Sequence, residues 1–339
     1  MYIDPFMETI KFCRFCFMCR HLAPVGNVTF TEADTPRVRA SMIYGATLRK
    51  EEFANEDLIR IMYRSDLSGC CRRNCVNHYD EVGLTLAYRA DLVEMGCAPD
   101  YIETLKKDLE EKSSSWVLSG EGKVLYVEDA LSVESGSAEA FKRLAGPCMT
   151  LSGTSCGKGL WVLGYRKEAK TAAEKFASLV EKSGAETVVT THPGLYDMLV
   201  NTFQELGITL SAKVQFSSEY LAGVKTNRAL GTLYYLESDF LLNYNANKVD
   251  PKELLAANGA VFKPFGTNDE ESYSCGEGSL LLDKIEPSLV EKLAKYVEER
   301  ADDPAHDWIV TASPYTKLQL SRYTALKVLT VEELLAQGM

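Results

Sequence analysis

The chain has 339 residues, 46% apolar and 25% charged, with a formal charge of −11 from 37 basic and 48 acidic side chains. That composition fits a globular protein of roughly two or three domains and excludes collagen-like, disordered and disulfide-rich miniature classes. The acidic balance argues against nucleic-acid backbone binding, and no run of about 18 uncharged apolar residues offers a membrane span.

Residues 1–114 read as mostly helical. Glu51 to Met62 carries Phe53, Leu58, Ile59 and Met62 near helical spacing. Val82 to Met95 sets Leu84, Tyr88, Leu92 and Met95 on one side, with Gly96 as a stop. Asp100, behind Pro99, is placed to cap a third helix running to Lys112, and Lys112-Ser113-Ser114-Ser115 reads as a linker.

The remainder reads as one unit written twice, over 115–230 and 231–339. The first copy opens with the strand-like Lys123 to Val127 and reaches Ser155-Cys156-Gly157-Lys158-Gly159. A helix (Arg166 to Lys182), a strand (Glu186 to Thr191), the turn Pro193 to Tyr196 and the segment Val214 to Ala222 follow. The second copy runs from Gly231 to Tyr235 through Ser274-Cys275-Gly276-Glu277-Gly278. Its helix spans Pro287 to Arg300 and its strand Asp307 to Ala312; Pro314-Tyr315 and the segment Val328 to Ala336 complete it. Alternating strands and helices imply α/β units with mainly parallel sheets.

Six of the ten cysteines lie between Cys13 and Cys75. Cys13, Cys16 and Cys19 are spaced C-x2-C-x2-C, which lets the backbone curl around one face of a cubane cluster. In the two-cluster pattern a fourth cysteine before a proline serves the other cluster; here Pro24 follows Ala23. Counting back from Cys75 at the same spacing gives Cys71, Ser68 and Ser65. With ligands exchanged between the halves, one cluster has the full set Cys13, Cys16, Cys19 and Cys75. The other would need Ser65, Ser68, Cys71 and Ala23, three of which are not cysteine. One [4Fe–4S] cluster is therefore expected, with Cys71 outside it and Cys70 as an alternative ligand. Structural zinc on the same thiolates, with Cys75 or His21 as fourth ligand, is the competing reading, and buried unliganded thiols are the bland one. The apolar stretch Phe12 to Met18, broken by cysteines and Arg14, does not make a signal peptide, and clustering at metal-ligand spacing points to a reducing cytoplasm.

These residues resemble the iron–sulfur subunits that join a helical two-cluster ferredoxin domain to two cysteine-rich CCG domains, as in heterodisulfide reductase and glycolate oxidase. The likeness rests on Cys13 to Pro24, Ser65 to Cys75, and both Ser-Cys-Gly loops with their Pro-containing turns. It implies an α/β chain with an N-terminal helical ferredoxin domain (1–114) and two CCG-type repeats. It also implies electron transfer with a flavoprotein partner, an FAD-dependent dehydrogenase. The repeats depart from the family's cysteine pattern. Asp129, Ser155-Cys156, His192 and Leu195 stand at its places in the first copy. Asp239, Ser274-Cys275, Ser313 and Thr316 stand there in the second. One cysteine per copy does not hold a polynuclear cluster.

Within the altered first pocket, His192, Asp129 and Cys156 suggest either a thiol activated by an imidazole or plain side-chain packing. Lys158, between two glycines, suggests anion binding or a solvated surface lysine. His21 is placed to tune the cluster, and Arg14, Arg20, Arg72 and Arg73 to stabilise it or to mark a docking face. No Gly-x-Gly-x-x-Gly occurs, so no dinucleotide site of its own is expected. The expected function is an iron–sulfur electron-transfer subunit. A non-redox scaffold with a structural metal, and a thiol enzyme working through Cys156, are the alternatives.

Overall fold

The computed structural model describes residues 1–113, 115–245, 248–264, 273–303 and 308–339; the side chains of Lys50, Arg73 and Asn74 lie outside that description. So do Ser114 of the expected linker and Asp307, the expected first residue of a strand. Up to residue 113 the described chain is helical: α1 (Met7–Cys13), α2 (Pro24–Thr29), α3 (Pro36–Leu48), α4 (Glu56–Tyr63), α5 (Cys70–Asn74), α6 (Glu81–Glu94) and α7 (Asp100–Lys112). Side-chain caps set the starts. Asn55 Oδ1 accepts from Asp57 and Leu58 N–H, which delays α4 to Glu56, several residues past the expected start. Asp80 Oδ1 accepts from Gly83 N–H and opens α6. Pro99 is the cap residue of α7, so Asp100 begins that helix rather than capping it.

The first sheet follows: β1 (Val117–Ser119), β2 (Val124–Asp129), α8 (Ala130–Ser135), α9 (Ser137–Ala145), β3 (Met149–Gly153), α10 (Lys158–Leu163), α11 (Arg166–Ser183) and β4 (Thr187–Thr190). Then α12 (Pro193–Asp197) runs through a π-helical turn, Met198–Thr202, into α13 (Phe203–Glu205), β5 (Lys213–Phe216) and α14 (Ser217–Tyr220). The second part contains β6 (Gly231–Leu236), α15 (Pro251–Ala256), β7 (Ala260–Phe262), α16 (Leu282–Ile285), α17 (Pro287–Glu298), β8 (Trp308–Thr311), α18 (Pro314–Tyr323), β9 (Lys327–Thr330) and α19 (Val331–Gly338). The molecule is thus mixed α/β with two sheets.

The sheets share one plan. The first is ordered β1-β3-β2-β4-β5 and the second β7-β6-β8-β9. Apart from antiparallel β1, every pairing is parallel. Register aligns the copies residue by residue. Val127 lies opposite Thr190 and Leu236 opposite Thr311, so Asp129 corresponds to Ser238, not to Asp239 as the spacing suggested. His192 then corresponds to Ser313, and both backbone N–H groups are held by the same threonine two positions earlier, Thr190 or Thr311.

The helical part is bolted to both repeats. Arg89 is fully buried and donates to the carbonyls of Met62 and Tyr63 at the end of α4 and of Val162 at the end of α10. These are the orphan acceptors that helix C-termini leave, and a cation suits them. Gly278 packs so closely that an added Cβ would stand 2.0 Å from the Leu67 carbonyl oxygen. Among the described residues, no helix is long and apolar enough to cross a membrane.

Candidate functional site

The chain from Cys13 to Leu22 curls through tight turns, with Cys16 N–H donating to Cys13 O, Arg20 N–H to Phe17 O and Leu22 N–H to Cys19 O. Those turns aim Cys13, Cys16 and Cys19 at one hollow of about 480 Å3, open mouth included, which Cys75 and Cys71 also line. Thr9, Met18, Leu22, Asn77 and Tyr79 complete the wall. The backbone N–H of Tyr79 donates to Cys75 Sγ at 3.4 Å.

Thiols this close perturb one another. Burial and the neighbouring Cys19, Cys75 and Cys16 push the Cys13 thiol up to about 12. The Cys71 thiol, donating to Cys19, outweighs burial and lowers Cys19 to about 6. Among the described residues no three Cys, His, Asp or Glu side chains converge tightly enough to grip one metal ion. The thiols line one hollow, and thiolates are ligands for iron–sulfur clusters and for zinc alike.

The positions expected for a second cluster also fall together. Ala23, Ser65, Ser68 and Cys71 line a smaller hollow of about 240 Å3 with Arg39, Asp66 and Glu81. Cys71 stands on the wall shared by the two hollows. Cys70 faces elsewhere, donating to Leu22 O at 2.7 Å, so it lines neither.

Other expectations change. His21 is exposed and lines a neighbouring surface groove with Phe30 and Arg300, not the cysteine hollow. Arg14 stacks over Phe15 and Tyr44, and Arg20 pairs with Glu32 at 2.8 Å. Arg72 bonds Asp80 at 3.0 Å and the Asn243 carbonyl at 2.7 Å, tying the cysteine turn to the second repeat. The expected contribution of the Arg73 side chain lies outside the described residues.

In the first repeat, Asp129 ends β2 and His192 follows β4. Asp129 Oδ1 accepts from Ser132 N–H at 2.8 Å, and Oδ2 is bonded to His192 Nδ1. Burial works against both charges, yet each partner outweighs it: Asp129 lies below its ordinary range and His192 above. Cys156 is buried, its thiol pushed up to about 12, and among the described residues no hydrogen bond joins it to His192. That is a packed thiol, not an activated nucleophile. Lys158 is neither a solvated lysine nor an anion-binding one: it is buried, 2.5 Å from Asp197 Oδ2 and 2.8 Å from Thr202 Oγ1. At the equivalent loop position Glu277, pushed by burial up to about 7, accepts from Ser238 Oγ and Asp239 N–H.

Compared with known protein families and with curated proteins, the chain matches no family model and no curated protein.

Proposed function

We propose that this protein is an iron–sulfur electron-transfer subunit in which Cys13, Cys16, Cys19 and Cys75 hold one [4Fe–4S] cluster between a flavoprotein dehydrogenase and an acceptor. The observation that carries this is the meeting of five thiols around a single open hollow, Cys13, Cys16 and Cys19 from one curled segment and Cys71 and Cys75 from far along the chain, the four proposed ligands among them. A cluster there would supply one-electron carriage. The chain's own part is to fix the thiolates by its turns, to donate the Tyr79 N–H to Cys75 Sγ and to wall the site. The helical ferredoxin domain followed by two CCG-type repeats, and the FAD-dependent partner, come from the family resemblance. The two matched parallel sheets and the paired hollows agree with that domain plan.

An apolar rim supports docking. Phe12, Phe15, Phe17 and Val76 are 62–73% exposed, beside the ligand cysteines. Large exposed apolar side chains gathered on one short segment mark an interaction surface.

Reconstitution with iron and sulfide without oxygen tests the proposal. About four irons per chain and a cluster signal in electron paramagnetic resonance after reduction are expected, with Cys16→Ser and Cys75→Ser losing both and Cys70→Ser keeping both. Zinc without iron in protein purified anaerobically overturns it. A scaffold would lose assembly in Cys16→Ser; an electron carrier would lose electron flow with the complex still assembled.

A further inference from the structure

A surface groove beside the ligand cysteines has the composition of a docking site. It measures about 1210 Å3, open mouth included, and runs between α2 of the helical part and α17 of the second repeat. Phe17, Phe30 and Tyr296 supply rings along it, and Arg20, His21 and Arg300 supply nitrogen groups. Among the described residues no lysine lines it. Protein interfaces favour this mixture, with aromatic side chains and arginine enriched and lysine depleted.

Phe30 carries the argument furthest. It ends α2 in the left-handed region, at φ 54° and ψ 26°, with its N–H donating to Gly26 O at 3.0 Å. Glycine or asparagine suits that conformation, and a bulky side chain there is strained. Packing does not compensate, because Phe30 is 92% exposed. The ring therefore burdens the backbone and adds nothing to the core. Strain of this kind gathers at binding sites.

Charge says what the groove takes. On the adjoining rim Arg14 stacks over Phe15 and Arg37 over Phe17, and in the groove Arg300 stacks over Tyr296 at 3.6 Å. Glu32 is shared between Arg20 at 2.8 Å and Arg37 at 3.8 Å, and Glu299 pairs with Arg300 at 3.3 Å. The guanidiniums of Arg14, Arg20, Arg37 and Arg300 thus outnumber the carboxylates of Glu32 and Glu299, on a chain whose overall charge is −11.

We propose that this groove docks an acidic segment of a partner protein, whose apolar side chain packs on Phe30 and Phe17 while its carboxylates pair with Arg20 and Arg300. Phe17 lies between Cys16 and Cys19 and belongs to the groove and to the apolar rim alike, so the docked segment lies beside the proposed cluster. That the partner carries electrons rests on the reading above; the preference for an acidic, apolar-anchored segment rests on the groove alone.

Fluorescence anisotropy of the full chain tests the proposal, with iron counted in the same sample. The probe is a labelled peptide of repeated Glu-Glu-Leu-Phe, set against Lys-Lys-Leu-Phe and Glu-Glu-Ser-Ser peptides of equal length. The acidic apolar peptide is expected to bind about tenfold or more tightly than either control, and less tightly as salt rises. Phe30→Gly is expected to weaken it about tenfold or more, yet to unfold at the parent's temperature or higher, since glycine relieves the left-handed strain. A merely structural Phe30 would give the reverse. Arg300→Gln is expected to weaken the peptide and to flatten its salt dependence. Equal affinity for the acidic and basic peptides, unchanged affinity in both variants, or Phe30-dependent binding to phosphatidylserine vesicles in place of the peptide overturns the proposal. Peptide binding without iron would remove the electron-transfer reading alone, and iron without peptide binding would remove the docking proposal alone.

Discussion

Replacing Lys158 by methionine keeps an unbranched stem beneath Phe240 but removes the ammonium from a closed cradle. Asp197 Oδ2 then loses the donor at 2.5 Å, while Oδ1 keeps the amide of Asn201 at 2.7 Å and, more weakly, that of Asn245 at 3.5 Å. Breaking one side of a buried ion pair costs roughly 3–5 kcal/mol, because the surviving charge is stranded. The remaining amide donors place Lys158→Met near the lower end, about 3 kcal/mol. Asp197→Asn in the same chain removes the stranded charge, so the double variant should be no less stable than Lys158→Met. Urea unfolding followed by tryptophan fluorescence is well placed, since Trp161 lies on α10 with Lys158. The double-mutant cycle should show a coupling of at least about 1.5 kcal/mol. Single-variant costs below about 1 kcal/mol that simply add would refute the buried pair as a structural element.

Stability should also depend on pH through Asp129 and His192. His192, raised by Asp129 against the pull of burial, contributes fully below its ordinary value near 6.5 and less as pH climbs through its folded value. Asp129, lowered by His192, contributes above its ordinary value near 3.9 and loses that contribution as pH falls through its folded value. The advantage of the parent over His192→Asn should therefore peak between roughly pH 4 and 6.5, and a flat difference in chemical denaturation would count against the pair. Gly278→Ala drives a Cβ to 2.0 Å from a backbone oxygen that has no free rotation, and should cost about 1–3 kcal/mol or more in thermal unfolding. The equivalent-loop change Gly159→Ala, meeting only side-chain atoms, Leu109 Cδ1 at 3.0 Å and Leu281 Cδ1 at 3.6 Å nearest, should cost less. On the apolar rim, Phe15→Glu should slow electron acceptance from a flavoprotein while leaving iron content unchanged, as measured by stopped-flow reduction.

Much of this architecture was legible in the chain because period and punctuation agreed. The strand expected from Lys123 is β2, the helix expected from Pro287 is α17, and both Ser-Cys-Gly loops lie between matching strands and helices. Helix α3 went unread although Thr35-Pro36 is a cap followed by a first-turn proline. Arg39 lies buried on its core face, which erases the apolar stripe. The alignment of Asp129 with Asp239 matched residue type, whereas strand register is set by backbone pairing and selects Ser238. Lys158 looked solvated because a lysine between glycines carries no sign of its partner, and Asp197 lies 39 residues away.

The two equivalent loops carry opposite charge, Lys158 in one and Glu277 in the other, each seated among groups that suit it alone. Both partner sets lie inside their own half, Asp197 and Thr202 with Lys158, Ser238 and Asp239 with Glu277, so each half satisfies its own sealed loop group and carries that seat with it wherever it packs.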